Sequence, residues 1–204
     1  NDIPQKELLM QQLGTDYVVL NMLNGPLQNE LMRETMYALI QPEDFINNAM
    51  TESVASNWLP SKKQQLFATI QCTGDDFPIL KIGYQHLSSH ANYLDKALIL
   101  QSKLHQFGIK TELKCINLQK DETVDTSIDL FIGGAIFGKQ KILSILNIYF
   151  TKPKAILSFL DEYHRNLVIQ TIEKIYITKQ RSLDETLNDL VEQTQKIYCL
   201  KYYS

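Results

Sequence analysis

The stretch Gly133-Gly134-Ala135-Ile136-Phe137-Gly138-Lys139 follows an apolar run and precedes a helical pattern. It spells GxxxxGK, whose backbone N–H groups could cradle phosphates. Position 140 is Gln, where a magnesium-holding loop carries Ser or Thr, and the interior of the stretch is apolar. The glycines read better as a tight strand end, or as a close approach to a ligand or a neighbouring backbone. His86 and His90 stand four apart, a spacing that aligns two imidazoles only on a helix. They fall at a strand-to-helix junction with no glutamate between them and read as exposed polar loop. Ser88 near His90 could pair a nucleophile with a base, yet no glycine-flanked elbow surrounds the serine. What that junction does offer is backbone N–H groups at a helix start, suited to a carboxylate or phosphate of a ligand. No catalytic set, metal site or cofactor is expected.

Three further side chains carry a choice. Trp58, the single tryptophan, can line a cleft or pack under a loop. Arg33 lies between Glu30 and Glu34 and reads as a surface ion pair rather than a buried anchor. Tyr198, Tyr202 and Tyr203 look like a closing strand, because only Lys196 and Lys201 accompany them and a stacking platform for bases needs more cation.

The elements that position these residues follow from pattern. Tyr17–Met22 is a β-branched apolar run closed by Asn24-Gly25-Pro26, a buried strand. Leu31, Met32, Thr35, Met36, Leu39 and Ile40 recur at helical spacing after a cap at Asn29, and Pro42 ends that helix and opens another. Thr51–Gly74 reads as mostly irregular. Ile79–Tyr84 is a strand, Asn92–Phe107 a helix stopped by Gly108, and Thr111–Asn117 a strand, which together make a βαβ unit with parallel strands. Ile128–Gly134 is another strand and Lys141–Phe150 a helix before Pro153. Ala155 to about Tyr198 is helical, with Ser182 and Glu185 as a capping box. The order gives an α/β layered domain.

Composition bounds the function. The chain has 204 residues, 44% hydrophobic and 21% charged, close to globular averages and long enough to bury roughly 70% of its unfolded surface. With 20 Lys plus Arg against 23 Asp plus Glu, the net charge of −3 gives no general pull toward nucleic acid or anionic lipid. Cys72, Cys115 and Cys199 form no CxxC pair and read as reduced thiols, with one bridge and a spare thiol as the other option. No apolar run reaches the 18 residues of a membrane span. The start at Asn1 suggests an excised or processed segment.

In combination these residues resemble the family 5 extracellular solute-binding proteins. Thr15–Met22, then Gly25-Pro26-Leu27, then Met32–Ile40 is similar to that family's strand ending in Phe-Asn, its Pro-Leu and its Val-Arg-x-Ala-like helix. Leu80–Tyr84, the helix to Leu104, and Gly108–Leu113 resemble its next strand, helix and Gly-Ile-Lys-Val-Glu strand. Asp129–Gly134 resembles its Tyr-Asp-x-x-x-x-Gly strand, and Ser182–Leu200 its long helix before a return strand. The departures are Met22, where the family often has Thr, and the missing Pro before Lys201-Tyr202-Tyr203.

The resemblance covers nearly the whole chain. It implies a three-layer α/β lobe of a type II periplasmic-binding-protein-like fold, a mixed sheet flanked by helices, with residues 1–204 as the C-terminal lobe. Gly133–Phe137 looks closest to SgrR-like transcriptional regulators. This implies a cytoplasmic ligand-sensing domain, joined in its parent chain to an N-terminal lobe and a winged-helix DNA-binding domain and itself making no contact with nucleic acid. The alternative is a peptide- or nickel-binding lipoprotein of an ABC transporter, outside the membrane. Either way a small-molecule or peptide ligand is expected at strand ends and helix starts, on Tyr84, Gln85, His86, Ser88, Gly133, Gly134 and Phe137, with Trp58 as a further wall.

Overall fold

The computed structural model describes residues 14–41, 44–45, 68–85, 93–116, 125–136, 156–177 and 200–203. Five strands, β1 (Gly14–Leu20), β2 (Leu80–Gln85), β3 (Thr111–Ile116), β4 (Leu130–Ile136) and β5 (Leu200–Tyr203), form one sheet in the order β3-β2-β4-β1-β5. β2 is parallel to both β3 and β4, whereas β1 is antiparallel to β4 and β5. The sheet is therefore mixed, with β1 the one strand running against the others. The expected βαβ unit is present, its crossover being helix α2 (Tyr93–Gln106).

One face of the sheet carries Val18, Leu20, Leu80, Ile82, Leu130 and Ile132, which join Met36, Leu39 and Ile40 and the α2 residues Tyr93, Ala97, Leu100 and Leu104 in a single buried cluster. Met36 and Leu39 belong to helix α1 (Glu30–Leu39). Strand alternation turns Val19 and Phe131 to the other face. There the Phe131 ring stacks on Phe159, centroids 6.2 Å apart, in a 3-10 turn at Ile156–Phe159. Helix α3 (Glu162–Ile177) follows and buries Val168, Thr171 and Ile172.

Local signals act as expected. The Asn29 side chain accepts the N–H groups of Leu31 (2.9 Å) and Met32 (3.4 Å), capping α1. Gly108 takes φ +79°, and the N–H of Ile109 reaches back to the Leu104 carbonyl at 3.0 Å, closing α2 as a left-handed stop does. The Thr111 strand, the strand character of the 200–203 ending and the irregular chain at 68–73 also agree.

Other boundaries differ. β1 runs from Gly14 to Leu20 and not from Tyr17 to Met22; its start comes earlier because Gly14–Asp16 pair with Gly134–Ile136 of β4, a tertiary contact that the local pattern does not show. For the same reason β4 runs on through Gly133 and Gly134 to Ile136, so the glycine pair lies inside a strand and not at a strand-end turn. Residues 156–160 form the 3-10 turn and its exit in place of continuous helix. The expected helix at 141–150, the capping box at Ser182 and Tyr198 lie outside the described residues, as does most of the segment after Pro42.

Arg33 is the clearest correction. Its residue is only 5% exposed, and Nη1 donates to the carbonyls of Leu27 (2.8 Å) and Gln28 (2.7 Å). The guanidinium ties the 3-10 turn at Pro26–Gln28 to α1, because its fan of donors satisfies carbonyls that a helix-free turn leaves open. Cys72 and Cys115 are free thiols.

Two buried polar groups in this framework give measurable expectations. The Thr35 hydroxyl, on the inner face of α1, accepts the backbone N–H groups of Gln71 (2.9 Å) and Cys72 (3.0 Å), holding 71–72 against the helix. Thr35→Val keeps the shape and removes the acceptor. It should cost about 1–2 kcal/mol, read as a lower urea midpoint at unchanged m-value; a variant as stable as the parent would show that water takes over both donors.

Asp129 lies just before β4, with its Oδ2 accepting the Lys81 N–H at 2.8 Å. Burial pushes its carboxyl above the ordinary 3.8, against the lowering effect of the Lys81 N–H and ammonium. The fold thus binds that proton more tightly than the unfolded chain. This contribution to stability is complete below pH 3.8 and is lost as pH rises through the raised value. Asp129→Asn should flatten that part of the stability profile, as measured by urea midpoints at stepped pH; an unchanged slope would assign it to other carboxylates.

Candidate functional site

The parallel strands β2 and β4 end at the same edge of the sheet. Tyr84 pairs with Ile132, and one step further along both strands come Gln85 and Gly133. Tyr84 and the glycine pair, at least 49 residues apart in the sequence, are therefore neighbours in the fold. Because β1 is antiparallel, its starting residues share this edge. Tyr17 pairs with Gly133 and Asp16 with Gly134, while Asp16 also pairs with Tyr203 of β5.

Strand alternation sorts these residues onto two faces. Tyr84 belongs to the α2 face, where it packs against the main core cluster. Burial, and then the neighbouring Cys115 thiol, push its phenol above the ordinary 10. Gln85 and Gly133 lie on the opposite face, in one row with Tyr17. The Gln85 residue is 3% exposed, and its Oε1 has no hydrogen-bond partner among the described residues. A Cβ on Gly133 would stand 2.8 Å from the Phe131 ring and 3.1 Å from the Tyr17 hydroxyl. The missing side chain thus leaves room for two aromatic rings beside a buried amide.

Gly134 faces α2. A Cβ there would fall on the Tyr93 hydroxyl and the Asp16 carboxylate. Tyr93 OH donates to Asp16 Oδ1 at 3.3 Å, and Lys96 Nζ is paired with Asp16 Oδ2. The same ammonium sits 5.4 Å from the centre of the Tyr93 ring. Burial first, and then the adjacent Asp16 carboxylate, keep the Tyr93 phenol protonated well above its ordinary range.

Of the eight residues expected at the site, the fold brings Tyr84, Gln85, Gly133 and Gly134 to one edge, two on each face. His86, Ser88, Phe137 and Trp58 lie outside the described residues. Sequence reasoning missed Asp16, Tyr93 and Lys96. Tyr93 and Lys96 are three apart on the first turn of a helix, a legible spacing. Their partner Asp16 lies 77 and 80 positions away, and only the strand order brings it near. Among the described residues, no group of three or more His, Cys, Asp or Glu could hold a metal ion, and no helix is long and apolar enough to cross a membrane.

Sequence comparison finds no matching protein-family model and no matching curated protein. Solved structures do match. NikA from Brucella suis, solved with Fe(III)-EDTA, has 13% identity and a TM-score of 0.68, over 93% of this chain and 44% of its own. The murein tripeptide binding protein MppA of Escherichia coli has 15% identity and a TM-score of 0.62, over 98% and 45%. The periplasmic oligopeptide-binding protein of an ABC transporter from Thermotoga maritima has 15% identity and a TM-score of 0.63, over 94% and 44%. At these identities the likeness establishes architecture. The chain has the mixed α/β fold of these solved proteins and spans less than half of their length.

Proposed function

We propose that the chain is the C-terminal lobe of a two-lobed receptor that holds a small solute, peptide or metal complex, against the edge formed by the ends of β2 and β4. The observation that carries this reading is Gln85. Its buried amide oxygen has no partner among the described residues; such an oxygen costs about 1–3 kcal/mol unless something else supplies the donor. Its place abreast of Gly133, at the carboxyl edge of parallel strands, is where α/β folds receive ligands. The solute would present an N–H or O–H to Gln85. Binding, not catalysis, is the role, and no cofactor enters it.

The starting end of β1 and the finishing end of β5 emerge side by side at this edge. They are suited to serve as two hinge strands to the second lobe. Closure would then follow from tighter solute binding by the closed form, which shifts the population toward it.

Between the two expected settings, we favour the transporter component outside the membrane. Two of the similar solved proteins are named as binding proteins, one for murein tripeptide and one from an oligopeptide ABC transporter, and a third was solved with a bound metal complex. A cytoplasmic SgrR-like regulator with a winged helix draws no support from those names.

The test is a thermal-shift screen of the receptor with its second lobe against short peptides and nickel–histidine complexes, followed by calorimetry on the best hit. Gln85→Ala should weaken that hit about tenfold. An affinity unchanged by Gln85→Ala would remove this edge from the binding site.

A further inference from the structure

Three elements meet at Asp16. It is the third residue of β1, opposite Gly134 of β4, and both of its carboxylate oxygens are taken by the first turn of α2, Oδ1 by Tyr93 OH at 3.3 Å and Oδ2 by Lys96. We propose that Asp16, Tyr93 and Lys96 are a latch that makes the start of β1 and the first turn of α2 a single body.

Several features distinguish this arrangement from an ordinary surface ion pair. The side chains of Lys96 and Asp16 are only 18% and 24% exposed, so water and salt screen them less than an open pair. Two donors three residues apart on one helix turn engage two oxygens of one carboxylate, which sets orientation as well as distance. The Lys96 ammonium also lies over the Tyr93 ring, so the two α2 residues brace each other.

Gly134 completes the device. β4 lies between β1 and α2's reach to it, and any side chain at 134 would occupy the place of the Tyr93 hydroxyl and the Asp16 carboxylate. The rest of α2 is held separately, by Ala97, Leu100 and Leu104 in the main core. Opening the latch therefore loosens the first turn, which keeps only the Tyr93 ring in that core, while leaving the body of the helix packed. Its consequence for a solute, that a hinge strand and a helix start beside the site would move together, rests on the solute-binding reading; the latch itself does not.

Amide hydrogen exchange on the chain without any solute tests it. Lys96→Met keeps the aliphatic stem, Tyr93→Phe removes only the hydroxyl, and Asp16→Asn removes the charge. Each should raise exchange about fivefold at Tyr17, Ala97 and Leu98 and leave Leu104 and Leu113 unchanged. The Asp16→Asn/Lys96→Met double variant should open no further than the worse single variant, because the two changes break the same contact. Unchanged rates at Tyr17, Ala97 and Leu98 would overturn the proposal. So would equal acceleration at Leu104 and Leu113, since the contact would then add only to global stability. No solute is present, so either result leaves the solute-binding reading to its own test.

Discussion

Asn21→Ala is expected to remove about 4 kcal/mol of stability, enough to unfold a marginal domain. Asn21 leaves β1 at the edge opposite the proposed site and is 1% exposed. Its Nδ2 donates to the carbonyls of Thr126 (2.9 Å) and Ile128 (2.8 Å). Its Oδ1 accepts the N–H groups of Leu23 (2.9 Å) and Asn24 (3.2 Å). Its own N–H donates to the Asp129 carbonyl at 2.8 Å. One amide therefore shapes the turn after β1 and fixes the entry to β4.

Alanine would leave two carbonyls and two N–H groups in search of partners, and each buried one costs about 1 kcal/mol or more. Asn21→Asp should be no better, because a carboxylate cannot donate and would face two carbonyl oxygens. Urea unfolding followed by circular dichroism gives the difference. A loss below about 1 kcal/mol would mean that water replaces the amide and that the turn is held by its backbone alone.

Gly74→Ala is expected to cost about 2–4 kcal/mol, through overlap with backbone that cannot rotate away. A Cβ at 74 would strike the Phe107 carbonyl oxygen and stand 2.7 Å from the carbonyl carbon and 2.8 Å from the Cα of Gly108. Those atoms belong to the left-handed stop of α2, whose own geometry is fixed by the bonds back to Leu104 and His105. The short 3-10 turn at Gly74–Asp76 is thus pressed against the helix end with no side chain between.

Gly108→Ala is the control, since its strain is the positive φ alone, roughly 1–2 kcal/mol. Thermal and urea unfolding of both variants rank the two effects. Gly74→Ala costing no more than Gly108→Ala would show that the 73–76 loop lifts away easily. Both substitutions leave the edge at Gln85 and Gly133 untouched, so a solute-binding measurement on any folded fraction should match the parent.

Much of this protein was legible from residue order alone. The Asn29 cap, the Gly108 stop, the βαβ unit and the position of Tyr84 near a strand end all follow from signals that act within a few residues, where hydrogen bonds and periodicity are set locally. The resemblance carried the mixed α/β lobe. The burial of Arg33 was not legible, because its neighbours Glu30 and Glu34 offer the same pattern as an exposed ion pair. It is decided by where the turn at Pro26–Gln28 folds back.

Strand order decided the rest. Inserting β1 against the direction of β4 draws Gly14–Asp16 into the sheet, keeps the glycine pair within a strand, and sets Asp16 under Tyr93 and Lys96. Alternation along β2 and β4 then separates Tyr84 from Gln85, and Gly134 from Gly133, across the two faces. Those contacts join segments far apart in the chain, and their free energy exists only once the strands are paired. A local reading of residue types can name the groups, but the pairing of the sheet determines which of them meet.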